Sequence, residues 1–99
     1  MNKKEEILHF LTQNKQELLS RFYLSKIGLF GSFSRDEAQV DSDVDIIVDF
    51  KEPVKDIYSV KIALKKYLSK KLGREVDIAR EKYLKPYIKE QIQKDTIYV

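Results

Sequence analysis

The sequence predicts an α+β domain: a small mixed β-sheet flanked by helices, in the order α-α-β-β-α-β-α. Three short apolar segments carry the prediction of strands: KIGLF (26–30), DVDIIVDF (43–50) and EVDIAR (75–80) have strand length and are rich in Ile and Val. Around them lie longer stretches whose apolar residues recur at helical spacing. Sheet and helices must bury their apolar faces on each other, so helices packed on a sheet is the expected architecture. At 99 residues the chain suits one domain spanning 1–99, with no room for a second core.

The first helix is expected over residues 4–14, with Ile7, Leu8 and Leu11 on its apolar side and Phe10 beside them. Asn14 is placed to cap a second, short helix whose apolar side is Leu18, Leu19 and Phe22. The strand 26–30 is closed by Gly31, and residues 31–35 then turn into a short helix or irregular loop. The strand 43–50 carries the strongest signal and stops before Pro53. A long helix follows, with Asp56 as N-cap, Gly73 as stop, and Ile57, Val60, Leu64, Tyr67, Leu68 and Leu72 as its core stripe. After the strand 75–80, a final helix over 85–94 opens on Pro86, and residues 96–99 form an edge strand or a tail.

Composition removes several classes of function. There is no cysteine, which excludes disulfides and Cys-based zinc sites, and the single histidine, His9, excludes His-rich metal sites. The apolar runs of four or five residues fall far short of the roughly 20 that span a bilayer. Residues 1–6 are charged with both signs and lack an apolar signal core, so the expected compartment is the cytoplasm, with no membrane partner. Net charge is +3, but residues 36–56 hold eight acids against two lysines, which leaves +9 on the rest of the chain. A carboxylate-dense patch inside a basic chain suits binding a polyanion through a divalent metal.

Within that patch the spacing is informative. Asp43 and Asp45 lie two apart on an expected strand, so their side chains leave one face, shared with Ile47. Two carboxylates held so close raise each other's proton affinity unless a cation sits between them. Oxygen-only donors of this kind suit magnesium or manganese rather than zinc. Asp77, between Val76 and Ile78 in the third strand, is the candidate third carboxylate, provided that the two strands are neighbours. Upstream, Gly31-Ser32 stands at a strand-to-helix turn, where a bare backbone, a hydroxyl and free N–H groups can hold phosphate oxygens. Arg35 can reach a phosphate or pair with one of the acids. No G-x-x-x-x-G-K-[ST] motif occurs.

In this order, Gly31-Ser32-Phe33-Ser34-Arg35, Ser42-Asp43-Val44-Asp45-Ile46-Ile47-Val48 and Asp77 in EVDIA, the chain resembles the minimal nucleotidyltransferase (MNT) family of the DNA polymerase beta superfamily. The resemblance covers nearly the whole chain. It implies the nucleotidyltransferase fold and a magnesium-dependent enzyme. Gly31 and Ser32, with Arg35, would bind the triphosphate of ATP. Asp43 and Asp45 would ligate two Mg2+ ions, and Asp77 would share one of them and help deprotonate the acceptor hydroxyl. It further implies an antitoxin paired with an all-helical HEPN ribonuclease toxin, with AMP transferred from ATP to a tyrosine of that partner. Family members often have glycine after the arginine, where this chain has Asp36, a residue that tolerates the left-handed backbone region better than most.

Other residues have plainer readings. His9 is a helix-face residue, and Lys61, Lys65, Lys66 and Lys70 form a solvated face. Tyr67 fits the core, whereas Tyr23, Tyr58, Tyr83, Tyr87 and Tyr98 suit an amphipathic surface or interface. Asp49 lies too far along its strand to be a ligand, and Asp41 and Ser42 shape the approach to that strand. Two rivals stand beside the enzyme: an antitoxin of the same fold that neutralises its toxin by binding, with little or no turnover, and a nucleic-acid binder resting only on the +9. Nucleic acid is not expected as a direct partner.

Overall fold

A computed structural model describes residues 3–99, so part of the charged start at 1–6 lies outside the described residues. Helices α1 (Lys4–Gln13) and α2 (Lys15–Arg21) lead into strands β1 (Leu24–Phe30) and β2 (Val44–Phe50). Helix α3 (Ile57–Leu72), strand β3 (Val76–Arg80), a single 3-10 turn (Glu81–Tyr83), helix α4 (Pro86–Asp95) and strand β4 (Ile97–Tyr98) complete the chain. The sheet is mixed, in the order β3-β2-β1-β4, with β2 and β3 parallel and the other pairs antiparallel.

The expected elements are present with small shifts. Strand β1 starts two residues early because Leu24 is buried and pairs with Phe50 across a bulge between Leu24 and Lys26. Strand β2 starts at Val44, which leaves Asp43 immediately outside it. Asn14 acts on the other helix from the one expected: no side-chain bond caps α2, and its Nδ2 donates to Phe10 O (2.9 Å), closing α1. Asp56 does cap α3, since Oδ1 accepts from Ser59 N (3.2 Å) and Oδ2 from Ser59 Oγ (2.8 Å). At the far end Gly73 takes φ 68° and donates its N–H to Ser69 O. Residues 96–99 resolve to an edge strand: β4 pairs with β1 through Gly28–Tyr98 and Leu29–Ile97. Gly28 is needed there, because a β-carbon would stand 2.9 Å from Ile97 O.

One apolar cluster unites Ile7 and Leu11 of α1, Leu18 of α2, the inward residues of β1 and β2, and Leu64, Leu68 and Leu72 of α3. The three leucines recur every fourth residue and are fully buried, whereas Ile57, Val60 and Tyr67 of the expected stripe are only partly buried where they pack against the cluster. Truncating one of them to alanine costs about 2–5 kcal/mol, a large share of the ~5–15 kcal/mol that stabilises a domain. Val44, Ile46, Val48 and Phe50 of β2 point into this cluster. The opposite face of the sheet is not open throughout, because Ile47, on the side of Asp45, is fully buried as well. No described helix is long and apolar enough to cross a membrane.

A buried carboxylate ties the carboxyl-terminal third to the sheet. Glu81 leaves only 8% of its side chain exposed and pairs with Lys26 of β1. It also accepts from Tyr98 Oη (2.8 Å) and Gln93 Nε2 (3.1 Å), and Lys89 Nζ lies 3.7 Å away. Its pKa is held below the usual carboxylate value, first by the Lys26 bond and further by Tyr98 and Lys89. Burial and the Glu81 bond push the Tyr98 phenol well up, so it stays a proton donor.

Candidate active site

The site lies where β1 ends and β2 and β3 begin. Phe30, the last residue of β1, pairs with Asp45, so the chain leaves the sheet directly over that carboxylate. The departing residue is Gly31, at φ +78°. A β-carbon there would overlap Asp45 Oδ2 and lie 3.0 Å from its Cγ, so both backbone and space require glycine. The chain then winds into a turn: Arg35 N donates to Gly31 O (3.2 Å), Glu37 N to Ser32 O (2.8 Å) and Ser34 Oγ to Gly31 O (2.9 Å). Phe33 anchors the turn in the core, while Ser32 stays partly exposed at its head.

Asp36 adopts φ 58°, the left-handed conformation anticipated for it. Its carboxylate points to the outside and pairs with Lys4 Nζ (2.9 Å).

The condition set on Asp77 is met. In the parallel pairing of β2 with β3, Asp45 stands opposite Asp77, so the two carboxylates share one face on adjacent strands. Asp43 precedes Asp45 by two residues and is exposed, as is Asp77. Among the described residues none of the three carboxylates accepts a hydrogen bond or forms an ion pair. The Asp45 pKa is raised, first by burial, then by the charges of Asp77 and Asp43, against which only Arg35 pulls it down. The three are near enough to feel one another's charge, but no three such side chains among the described residues converge closely enough to hold a metal ion. The donor set itself suits magnesium: carboxylate oxygens only, mutually repelling and without a hydrogen-bond or ion-pair partner among the described residues.

Arg35, proposed from the sequence to meet a phosphate or an acid, is exposed and meets acids: Glu37 Oε2 at 3.1 Å and Asp95 Oδ2, at the end of α4, at 3.4 Å. Asp49, toward the far end of β2, accepts from Lys82 N (3.2 Å). Ser42 shapes the approach to β2 by accepting from Gln39 N (2.7 Å). Sequence reasoning missed Arg74, whose Nη1 donates to Val40 O (2.8 Å) and Ser42 O (3.1 Å) on the same approach. Its place directly after the α3 stop, three residues before Asp77, was the available signal.

The sequence profile described as "Nucleotidyltransferase domain" matches residues 11–99. The chain belongs to the nucleotidyltransferase family. Within that family it is similar to the protein adenylyltransferase MntA of Thermococcus cleftensis, at 43% identity over 96% of this chain and 94% of the relative. A solved structure assigned as a minimal nucleotidyltransferase superposes with a TM-score of 0.79 at 33% identity, covering 96% of this chain and 94% of that one. The MNT fold also matches the Shewanella oneidensis complex of tri-AMPylated HEPN toxin with MNT antitoxin, at a TM-score of 0.62. That match covers 91% of this chain and 69% of the other at 22% identity, and bears on fold alone. In this nucleotidyltransferase, Gly31-Ser32, Asp43, Asp45 and Asp77 lie at one end of the sheet.

Proposed function

We propose that this nucleotidyltransferase moves AMP from ATP to a hydroxyl, a tyrosine of a HEPN-type toxin, and so acts as an antitoxin in the cytoplasm. The observation that carries the reading is the placement of Asp45 beside Asp77 in adjacent strands, with Asp43 next to them and Gly31 bare above Asp45. The 43% identity to a protein adenylyltransferase supports adenylyl transfer. The HEPN partner follows from the resemblance of the Gly-Ser and Asp-x-Asp motifs to MNT antitoxins.

In this reading the phenolic oxygen attacks the α-phosphorus, the bond to the bridging oxygen of the leaving pyrophosphate breaks, and the phenolic proton passes to a carboxylate. Asp77, exposed on edge strand β3, takes that proton. Gly31 and Ser32 receive the triphosphate on backbone N–H groups and the serine hydroxyl. Arg35 gives up its surface acids to meet phosphate oxygens. Asp43, Asp45 and Asp77 would hold two magnesium ions, which would supply positive charge against the phosphates and make the acceptor hydroxyl more acidic. The protein's main contribution is to position the reactants.

A second reading, neutralisation of the toxin by binding alone, is favoured by one observation: the carboxylates do not converge into a ligand cluster among the described residues. The test incubates the chain with ATP labelled on the α-phosphate, magnesium and a HEPN-type protein encoded beside it. Wild type and Asp43→Ala/Asp45→Ala are run together. Label on the partner with wild type only supports transfer. A stable complex without label in either case transfers the weight to binding alone.

A further inference from the structure

The loop between β1 and β2 carries the phosphate-side turn at one end and Asp43 at the other, and its second half has few anchors of its own. Residues 37–43 are held by Glu37 N to Ser32 O, by the exposed Arg35–Glu37 pair, by the partly buried Ala38 against the core, and by local bonds between Gln39 and Ser42 (Ser42 N to Gln39 O, 3.1 Å). Val40 is 94% exposed, so this stretch buries little to fix it. Arg74 reaches it from the other side of the site. Its guanidinium donates to the carbonyls of Val40 and Ser42 and lies 5.0 Å from the centre of the Phe33 ring. One side chain, two residues before the strand that bears Asp77, therefore reaches the residue after Ser32 and the residue before Asp43. The next ladder bond, Val44 N to Glu75 O (2.9 Å), joins the same two segments.

We propose that Arg74 is a positioning residue: by holding the Val40 and Ser42 carbonyls while its guanidinium lies over the Phe33 ring, it sets Asp43 in place relative to Asp45 and Asp77. The proposal rests on the nucleotidyl-transfer reading. One nitrogen, Nη1, supplies both hydrogen bonds while the delocalised, planar guanidinium lies over the Phe33 ring, whereas a lysine ammonium is a compact, strongly hydrated charge less suited to covering a ring while it donates. The two are therefore not equivalent here.

The test uses the full chain with Arg74→Ala and Arg74→Lys. Amide exchange reads the loop, and titration with Mn2+ by electron paramagnetic resonance, beside a non-hydrolysable ATP analogue, reads the carboxylates without turnover. In Arg74→Ala, Ser42 N–H is expected to exchange about tenfold faster, and Mn2+ to bind about tenfold more weakly, the scale of one charge-assisted hydrogen bond. Amides of β1 and α3 keep their protection, and Arg74→Lys recovers only part of both effects. Unchanged exchange at Ser42, a loosened loop with unchanged Mn2+ affinity, or full recovery by lysine overturns the proposal. A wild type that binds no Mn2+ and transfers no label overturns the nucleotidyl-transfer reading itself and Arg74's role with it.

Discussion

Replacing Gly31 with alanine separates a backbone cost from a cost that falls on one carboxylate. At φ +78° an alanine is strained by about 1–2 kcal/mol. The new β-carbon also overlaps Asp45 Oδ2 and stands 3.0 and 3.1 Å from Asp45 Cγ and Cβ. These are side-chain atoms, so the sheet can survive while the Asp45 carboxylate turns aside, an off-rotamer cost of roughly 0.5–1.5 kcal/mol. The expected total is about 2–3 kcal/mol, with each kcal/mol lowering Tm by about 4–8 °C in a domain of this size. Adenylyl transfer should fall much further, about 100-fold, because a small displacement of a reacting group is enough. A double-mutant cycle with Asp45→Ala isolates the contact with the carboxylate: without Oδ2 and Cγ, Gly31→Ala should cost only the backbone strain and the remaining 3.1 Å approach to the β-carbon of residue 45. The assay is thermal melting of the four proteins, with labelled transfer measured on Gly31→Ala and wild type. Additivity within about 0.5 kcal/mol, together with unchanged transfer by Gly31→Ala, would refute the claim that the close approach to Asp45 matters.

Asp45→Asn should stabilise the protein at neutral pH in metal-free buffer while abolishing transfer. The folded pKa of Asp45 is raised above 3.8, so the folded state holds the proton longer than the unfolded chain and stability is lost as pH rises through the folded value; asparagine removes that loss, and Mg2+ should raise Tm of the wild type only. Glu81 has the opposite sign, because its folded pKa lies below 4.5. Its contribution is present above 4.5 and lost as pH falls through the folded value, so Glu81→Gln should cost about 2 kcal/mol near pH 7, with the gap in Tm closing in acid. Gly28→Ala drives a β-carbon against the Ile97 carbonyl, which is backbone and cannot turn aside. It should cost about 1–3 kcal/mol and speed exchange of the Val99 N–H, which donates to Ile27 O; an unchanged Val99 rate would show that β4 tolerates the displacement.

What the sequence determined alone was what depends on near neighbours. Apolar spacing of four residues set the buried stripe of α3, and Asp56 and Gly73 marked its ends because a cap acts within one turn. The Ile/Val run of β2 and the Gly-Ser turn before it were legible for the same reason, and with them the family. Asn14 shows the limit of local reasoning: the same side chain could serve either flanking helix, and packing chose α1. Only the tertiary structure decided the partners far apart in sequence. Asp77 joins Asp45 because β3 lies parallel beside β2, an arrangement that strand order settles and periodicity does not. Arg74 reaches Val40 and Ser42 across more than 30 residues, and Glu81 gathers Lys26, Gln93 and Tyr98 from three elements. A side chain's periodicity says which face it takes, but what stands opposite that face is fixed only when the sheet assembles and buries both sides.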